Sequence, residues 1–242
     1  PEGLFAADMG RVAEWIVEAL GAQSLTFAAS VLSPHLEVPV DWAVPKLDTS
    51  ILIDANARMV SALLAGSDGM GEWASSRALE LLEWIWAVAW SPGGGVAHRV
   101  RDGEVVASGE LADAVAVLEA SLDAHAWSGD GRWLTRARDL FDDTTTRFPS
   151  AGARLSDLPA AIERLAQFER AGRLRVSHLP LRENAVFAEC AARLRRRTGK
   201  AGYAEAGSSI LRALAPRAAD AGLFGARFAL AVRRATPERG DG

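Results

Sequence analysis

The sequence predicts an all-α protein: αα-hairpin repeats forming part of an α/α toroid, with one small β-hairpin. Three observations carry this. Ala, Leu, Arg and Glu dominate the long segments and are strong helix formers, whereas Tyr occurs once in 242 residues. Apolar residues recur at helical spacing far more often than in strand-like alternation. One pattern also occurs three times: Asp54 … Gly69-x-x-x-Trp73, Asp113 … Gly129-x-x-x-Trp133 and Glu183 … Gly199-x-x-x-Tyr203. The acid stands 15, 16 and 16 residues before its glycine, and the aromatic always 4 after it.

Each unit reads as an acid-started apolar helix, a glycine turn and an aromatic-started second helix. The first helix is apolar almost all round and should be buried on two sides, while the second is amphipathic with one wet face. That asymmetry suits an inner ring of helices wrapped by an outer ring. A tetratricopeptide array would repeat every ~34 residues, but here the aromatics lie 60 and 70 residues apart.

In chain order, Met9–Leu20 reads as an amphipathic helix, with Val12, Trp15, Ile16 and Ala19 at helical spacing. Pro34, Pro39 and Pro45 make 33–46 a connector. Ile51–Ala65 is the first inner helix, the run Gly-Ser-Asp-Gly-Met-Gly its turn, and Trp73–Trp90 its partner. Ser91-Pro-Gly-Gly-Gly breaks the helix. Asp102-Gly103 between Val96–Val100 and Glu104–Ala107 predicts a β-hairpin, because both turn positions tolerate positive φ. Ser108–Trp127 and Trp133–Phe148 form the second pair, capped by Ser108 or Gly109. A connector over 149–161 and a short helix over Ala160–Ala171 follow. Arg182–Arg197 opens after Pro180, Tyr203–Ala221 is its partner with Pro216 limiting it, and Leu223–Ala235 is the last helix before a loose tail over 236–242. The whole chain, 1–242, is expected to be a single toroid-like domain; beginning at Pro1, it reads as a piece of a longer protein.

Composition bounds the chemistry. The net charge of −4 offers no global attraction for nucleic acid. It is uneven, however: residues 1–181 carry 15 basic and 25 acidic side chains, and residues 182–242 carry 12 and 6. The single Cys190 excludes an internal disulfide, a Cys-x-x-Cys pair and a cysteine zinc site within the chain, and fits a reducing, cytoplasmic setting. No uncharged apolar run reaches the ~18 residues that span a bilayer, so no membrane is expected. His35, His98, His125 and His178 stand too far apart for a helical metal pair. Neither a metal nor a cofactor is expected.

The candidate ligand-binding residues are Trp42, Asp54, Asn56, Asp113, His178, Arg182 and Glu183. The acids begin three inner helices, so a toroid would bring them to one mouth. Carboxylates there could do acid–base work on a sugar, Trp42 could stack on its ring, and Arg182 and Glu183 could bond its hydroxyls. Helix capping is the competing account, since acids at helix N-termini satisfy free N–H groups and the dipole. His178 is the preferred histidine, because it precedes Pro180 and the Arg182–Asn184 cluster. Asp142-Asp143-Thr144-Thr145-Thr146 reads as a solvated helix face, and Gly93–Gly95 as a turn rather than a phosphate loop. The arginine run 193–197 reads as a solvated helix end. Cys190 reads as inert core, and Trp84, Trp86 and Trp90 as inter-helix packing.

The run Pro45–Leu64 (PKLDTSILIDANARMVSALL) resembles a stretch of thioredoxin-domain proteins related to spermatogenesis-associated protein 20. The segments GELADAVAVLEASLDAHAWSGDGRWLTRARDL and LPLRENAVFAECAARLRRRTGKAGYAEA resemble the same family in the same order, and AGLFGARFALAV follows them. The resemblance covers roughly 45–235. It implies the C-terminal toroid of that family, which is related to six-hairpin sugar epimerases and glycosidases and follows an N-terminal thioredoxin-like domain. The thioredoxin domain is absent here, only three clear hairpins are present, and the family's Asp-Trp-Asn is Asp54-Ala55-Asn56. Two functions are therefore expected. One is a structural or interaction toroid without redox chemistry, partnered by a thioredoxin-like domain. The other is a carbohydrate-active enzyme, an epimerase or glycosidase, with its site at the toroid mouth.

Overall fold

The computed structural model describes residues 50–160 and 179–236. The expected helix Met9–Leu20, the connector 33–46, the helix beyond Ala160, the tail beyond Thr236, and both Trp42 and His178 lie outside the described residues.

Strand β1 (Ile51–Leu52) runs directly into α1 (Ile53–Met70), which pairs with α2 (Glu72–Val88). Strands β2 (Trp90–Ser91), β3 (Gly95–Arg101) and β4 (Glu104–Ser108) precede the second hairpin, α3 (Leu111–Ser128) and α4 (Gly131–Arg147). Strands β5 (Ser150–Ala151) and β6 (Arg154–Leu155) precede the third, α5 (Leu181–Thr198) and α6 (Ala201–Asp220). A 3-10 turn (Gly222–Gly225) then leads into α7 (Ala226–Ala235). Among the described residues α1, α3, α5 and α7 pack side by side in that order, and α2, α4 and α6 lie against their own partners. The result is an arc of an α/α toroid with inner and outer layers.

Burial follows that layering in two of the three hairpins. Eleven residues of α3 are buried against five of α4, and nine of α5 against five of α6. The first pair is even, at seven and seven. Among the described residues α1 has an inner neighbour, α3, on one side only. Outer residues tie the hairpins together. Trp86 Nε1–H donates to Ser121 Oγ at 3.1 Å, and Phe141 stacks on Phe187 at 4.4 Å with Tyr203 edge-on at 5.0 Å. Trp86 and Trp90 lie 5.1 Å apart, and Arg136 sits over Trp86 and Trp133. Those indoles fill helix interfaces. Cys190 is fully enclosed in α5, and burial pushes its thiol well above the usual range.

Two boundaries differ from the sequence reading. Helix α1 runs through Gly69, and Gly71 at φ 84° provides the exit instead; Gly129 and Gly199 end α3 and α5 in the left-handed conformation as expected. The predicted hairpin is present, and it is widened into a small sheet in which β3 pairs antiparallel with β1, β2 and β4. A second short hairpin, β5–β6, occupies the expected connector. These added strands are only two residues long, too short to show alternation. Among the described residues no helix is long and apolar enough to cross a membrane.

Candidate active site

The N-terminal ends of α1 and α3 meet under the sheet. Pairing of Ile51 with Val100 and Leu52 with Arg99 fixes the point at which the chain enters α1, and so fixes Asp54. Strand β3 carries a bulge: Ala97 pairs with Ser108 and Arg99 with Ala107, so His98 is the extra residue. A compensating irregularity follows, because Val100 pairs with Val105. Bulges turn a side chain away from its regular direction, and here the imidazole of His98 meets Asp113. At Gly109 a Cβ would stand 1.6 Å from the Val96 carbonyl oxygen, so only glycine lets the start of α3 approach β3 this closely.

Asp113 is the hub. Its side chain is fully buried. Oδ2 accepts the Glu110 N–H at 2.8 Å, half of a capping box at the start of α3. Oδ1 accepts the backbone N–H of Asp54 at 3.2 Å. His98 Nδ1 lies 3.3 Å from Oδ1 and 3.2 Å from Oδ2. Burial, offset in part by the Glu110 N–H and His98, raises the Asp113 carboxyl from 3.8 to about 6. The His98 side chain is about one-third exposed, and no partner is present for its Nε2 among the described residues. The Asp54 carboxylate is paired with Arg58 one turn along α1 at 2.9 Å. Ligand-type atoms of Asp54, His98 and Asp113 all lie within 4.8 Å of one another.

The structure thus brings Asp54 and Asp113 together. Asn56 lies beside them in sequence but is buried, and its Nδ2 donates to the Leu52 carbonyl at 2.9 Å. Arg182 and Glu183 sit on the first turn of α5 and pair with each other at 3.3 Å, with no bond to the Asp54–His98–Asp113 group among the described residues. The neighbouring Asn184 is a structural clamp: it bonds Leu155 N–H at 2.7 Å, Leu155 O at 2.9 Å and Pro180 O at 2.8 Å, fastening β6 to α5. Capping and ligand readings each describe part of the set. Asp113 caps α3 and also holds His98, while Asp54 and Glu183 bond arginines. His98 is the residue that sequence reasoning missed. Its signal was a polar residue between Val96 and Val100 on one face of a strand.

Chemically, a buried carboxylate on Nδ1 fixes the tautomer and orientation of an imidazole and stabilises its protonated form, leaving Nε2 as a base toward solvent. Asp113 itself cannot attack a substrate, because its oxygens are enclosed and already bonded to N–H groups.

No family model and no curated protein matches the sequence. Solved structures do match in fold. A family 76 glycoside hydrolase (mannosidase) from Bacteroides thetaiotaomicron aligns with TM-score 0.55 and 12% identity over 69% of this chain and 44% of that one. Cellobiose 2-epimerase from Spirochaeta thermophila aligns with TM-score 0.57 and 14% identity over 86% and 53%. A D-mannose isomerase aligns with TM-score 0.53 and 12% identity over 68% and 44%. The fold is therefore that of an α/α toroid, and this chain spans about half the length of the structures it matches.

Proposed function

We propose that this chain carries an acid–base site of a carbohydrate-processing toroid, with His98 as the base and Asp113 as the residue that positions it. The single observation that supports this most is the His98–Asp113 contact at 3.2 Å, which joins a partly exposed imidazole to an enclosed carboxylate. The neighbours are a sugar epimerase, a sugar isomerase and a mannosidase, which supports a sugar as the ligand.

Proton transfer fits these residues better than glycoside hydrolysis. Hydrolysis needs two carboxyl groups free to reach the glycosidic bond, and Asp113 is enclosed. In the proposed step His98 Nε2 takes the C2 proton of an open-chain aldose and becomes imidazolium. The electron pair left on C2 moves to the carbonyl, giving an enediolate, and the imidazolium returns the proton to C2 or C1. Return to the opposite face of C2, after the enediolate turns about its C2–C3 bond, gives the epimer; return to C1, with the O2 hydroxyl proton passing to O1, gives the ketose. Asp54, paired with Arg58 and within 4.8 Å of the ligand-type atoms of His98 and Asp113, would accept a bond from a sugar hydroxyl. The test is product analysis by NMR after incubation with D-mannose, with cellobiose and with an aryl α-mannoside. Epimer or ketose from the free sugars supports proton transfer. Aryl alcohol release without isomerised sugar would replace it with hydrolysis, and no product from any of the three favours the structural toroid expected as the first reading.

A further inference from the structure

A groove opens along α5 beyond its first turn and runs away from the mouth. It runs between α5, α6 and α7, has a volume of about 1150 Å³, and is lined by five arginines (Arg193, Arg195, Arg196, Arg233 and Arg234) against two carboxylates, Asp123 and Glu189. Glu183 and Arg196 stand thirteen residues apart on α5, which at 1.5 Å per residue separates the groove's far end from the mouth by ~20 Å.

Part of this charge is matched internally. Arg193 pairs with Asp123 at 2.7 Å, Arg234 pairs with Glu189, and Arg196 donates to the Arg234 carbonyl at 2.7 Å. Arg195 and Arg233 are exposed and have no ion-pair partner among the described residues. The floor has a second, independent feature. Glu189 is 1% exposed, and its Oε2 has no hydrogen-bond partner; the Arg227 guanidinium lies 3.4 Å away without hydrogen-bond geometry. Arg227 and Arg234 offset the Glu189 charge, yet the Oε2 hydrogen-bond position stays unfilled, and a ligand donor would fill it.

We infer that this groove binds a phosphorylated sugar, its phosphate on Arg195 and Arg233 and a hydroxyl on Glu189 Oε2. Guanidinium groups suit phosphate because their N–H fork matches its oxygens. The excess of arginine selects the anion, and the orphaned oxygen selects a ligand that also carries hydroxyls. The bland alternative is that these arginines only complement the C-terminal ends of α5 and α7, which would not discriminate between ligands.

Calorimetric titration of the full chain with inorganic phosphate, D-glucose and glucose 6-phosphate tests this. Glucose 6-phosphate should bind about tenfold more tightly than phosphate, and glucose should not bind measurably, because the charge-assisted bonds to the arginines carry most of the affinity and the hydroxyl bond only adds to them. Arg195→Ala and Arg233→Ala remove exposed side chains and should each weaken both anions about tenfold while leaving thermal stability unchanged. Glu189→Gln should erase the advantage of the sugar phosphate over phosphate. Equal binding of glucose, no binding of phosphate, or anion binding that Arg233→Ala leaves untouched would overturn the inference.

Discussion

Asp113 is a fully buried carboxyl that both caps α3 and holds His98. Its carboxyl is raised to about 6 because burial removes it from water, so folding favours the protonated form over the unfolded chain's 3.8. The stabilisation this gives is complete below pH 4 and fades as pH rises through 6. Comparing wild type with Asp113→Asn in denaturant titrations across pH isolates it. The difference in stability should move against the wild type by about 3 kcal/mol between pH 3.5 and 7. A flat difference would mean that the carboxyl is not desolvated. Asp54 and Asp113 were legible in the sequence, since acids at helix starts stand out at fixed repeat positions. His98 stood out only as a polar residue between Val96 and Val100, and its meeting with Asp113 was not legible, because the bulge that turns it depends on pairing between strands. Trp42 and His178, the remaining aromatic and basic candidates, lie outside the described residues.

At the scale of elements, two contacts hold the mouth together, and both make predictions. Gly109→Ala places a methyl group against the Val96 carbonyl and must push α3 off β3. A loss of at least about 2 kcal/mol in unfolding free energy is expected, as for an overpacked core, with any sugar turnover falling further than stability alone requires. Asn184→Ala strips donors and an acceptor from Leu155 and Pro180 and leaves buried backbone groups unpaired. It should cost about 2–3 kcal/mol, measurable by chemical denaturation. The helices themselves were legible to within a few residues wherever apolar spacing and a glycine stop agreed, as at Gly129 and Gly199. Gly69 failed as a stop because glycine inside a helix is tolerated, as it is at Gly66 in the same helix, and Gly71, with its left-handed φ, supplies the turn. The two-residue strands were invisible for want of length.

The layering of the second and third hairpins follows from the asymmetry between inner and outer helices. That asymmetry, with the acid–glycine–aromatic repeat, identified the toroid from the sequence, and solved toroids match the fold at identities of 12–14%. At that distance chemistry must be read from side chains. The core that joins the second and third hairpins is the Phe141–Phe187 stack. Phe187→Ala, at a site with no exposure, should cost about 3–5 kcal/mol in thermal or denaturant unfolding and leave the first hairpin's contacts intact.

In the proposed function His98, held by Asp113, moves a proton on a sugar. Solvent exchange reads this without assuming a product. The protein is incubated with D-mannose in D2O and the C2 proton is followed by NMR. Wild type should exchange C2–H for deuterium, His98→Gln should not, and Asp113→Asn should slow exchange by a factor of ~100 or more, as expected when a catalytic histidine loses the carboxylate that orients it. Undiminished exchange in His98→Gln, or none in the wild type alongside retained sugar binding, would contradict the account.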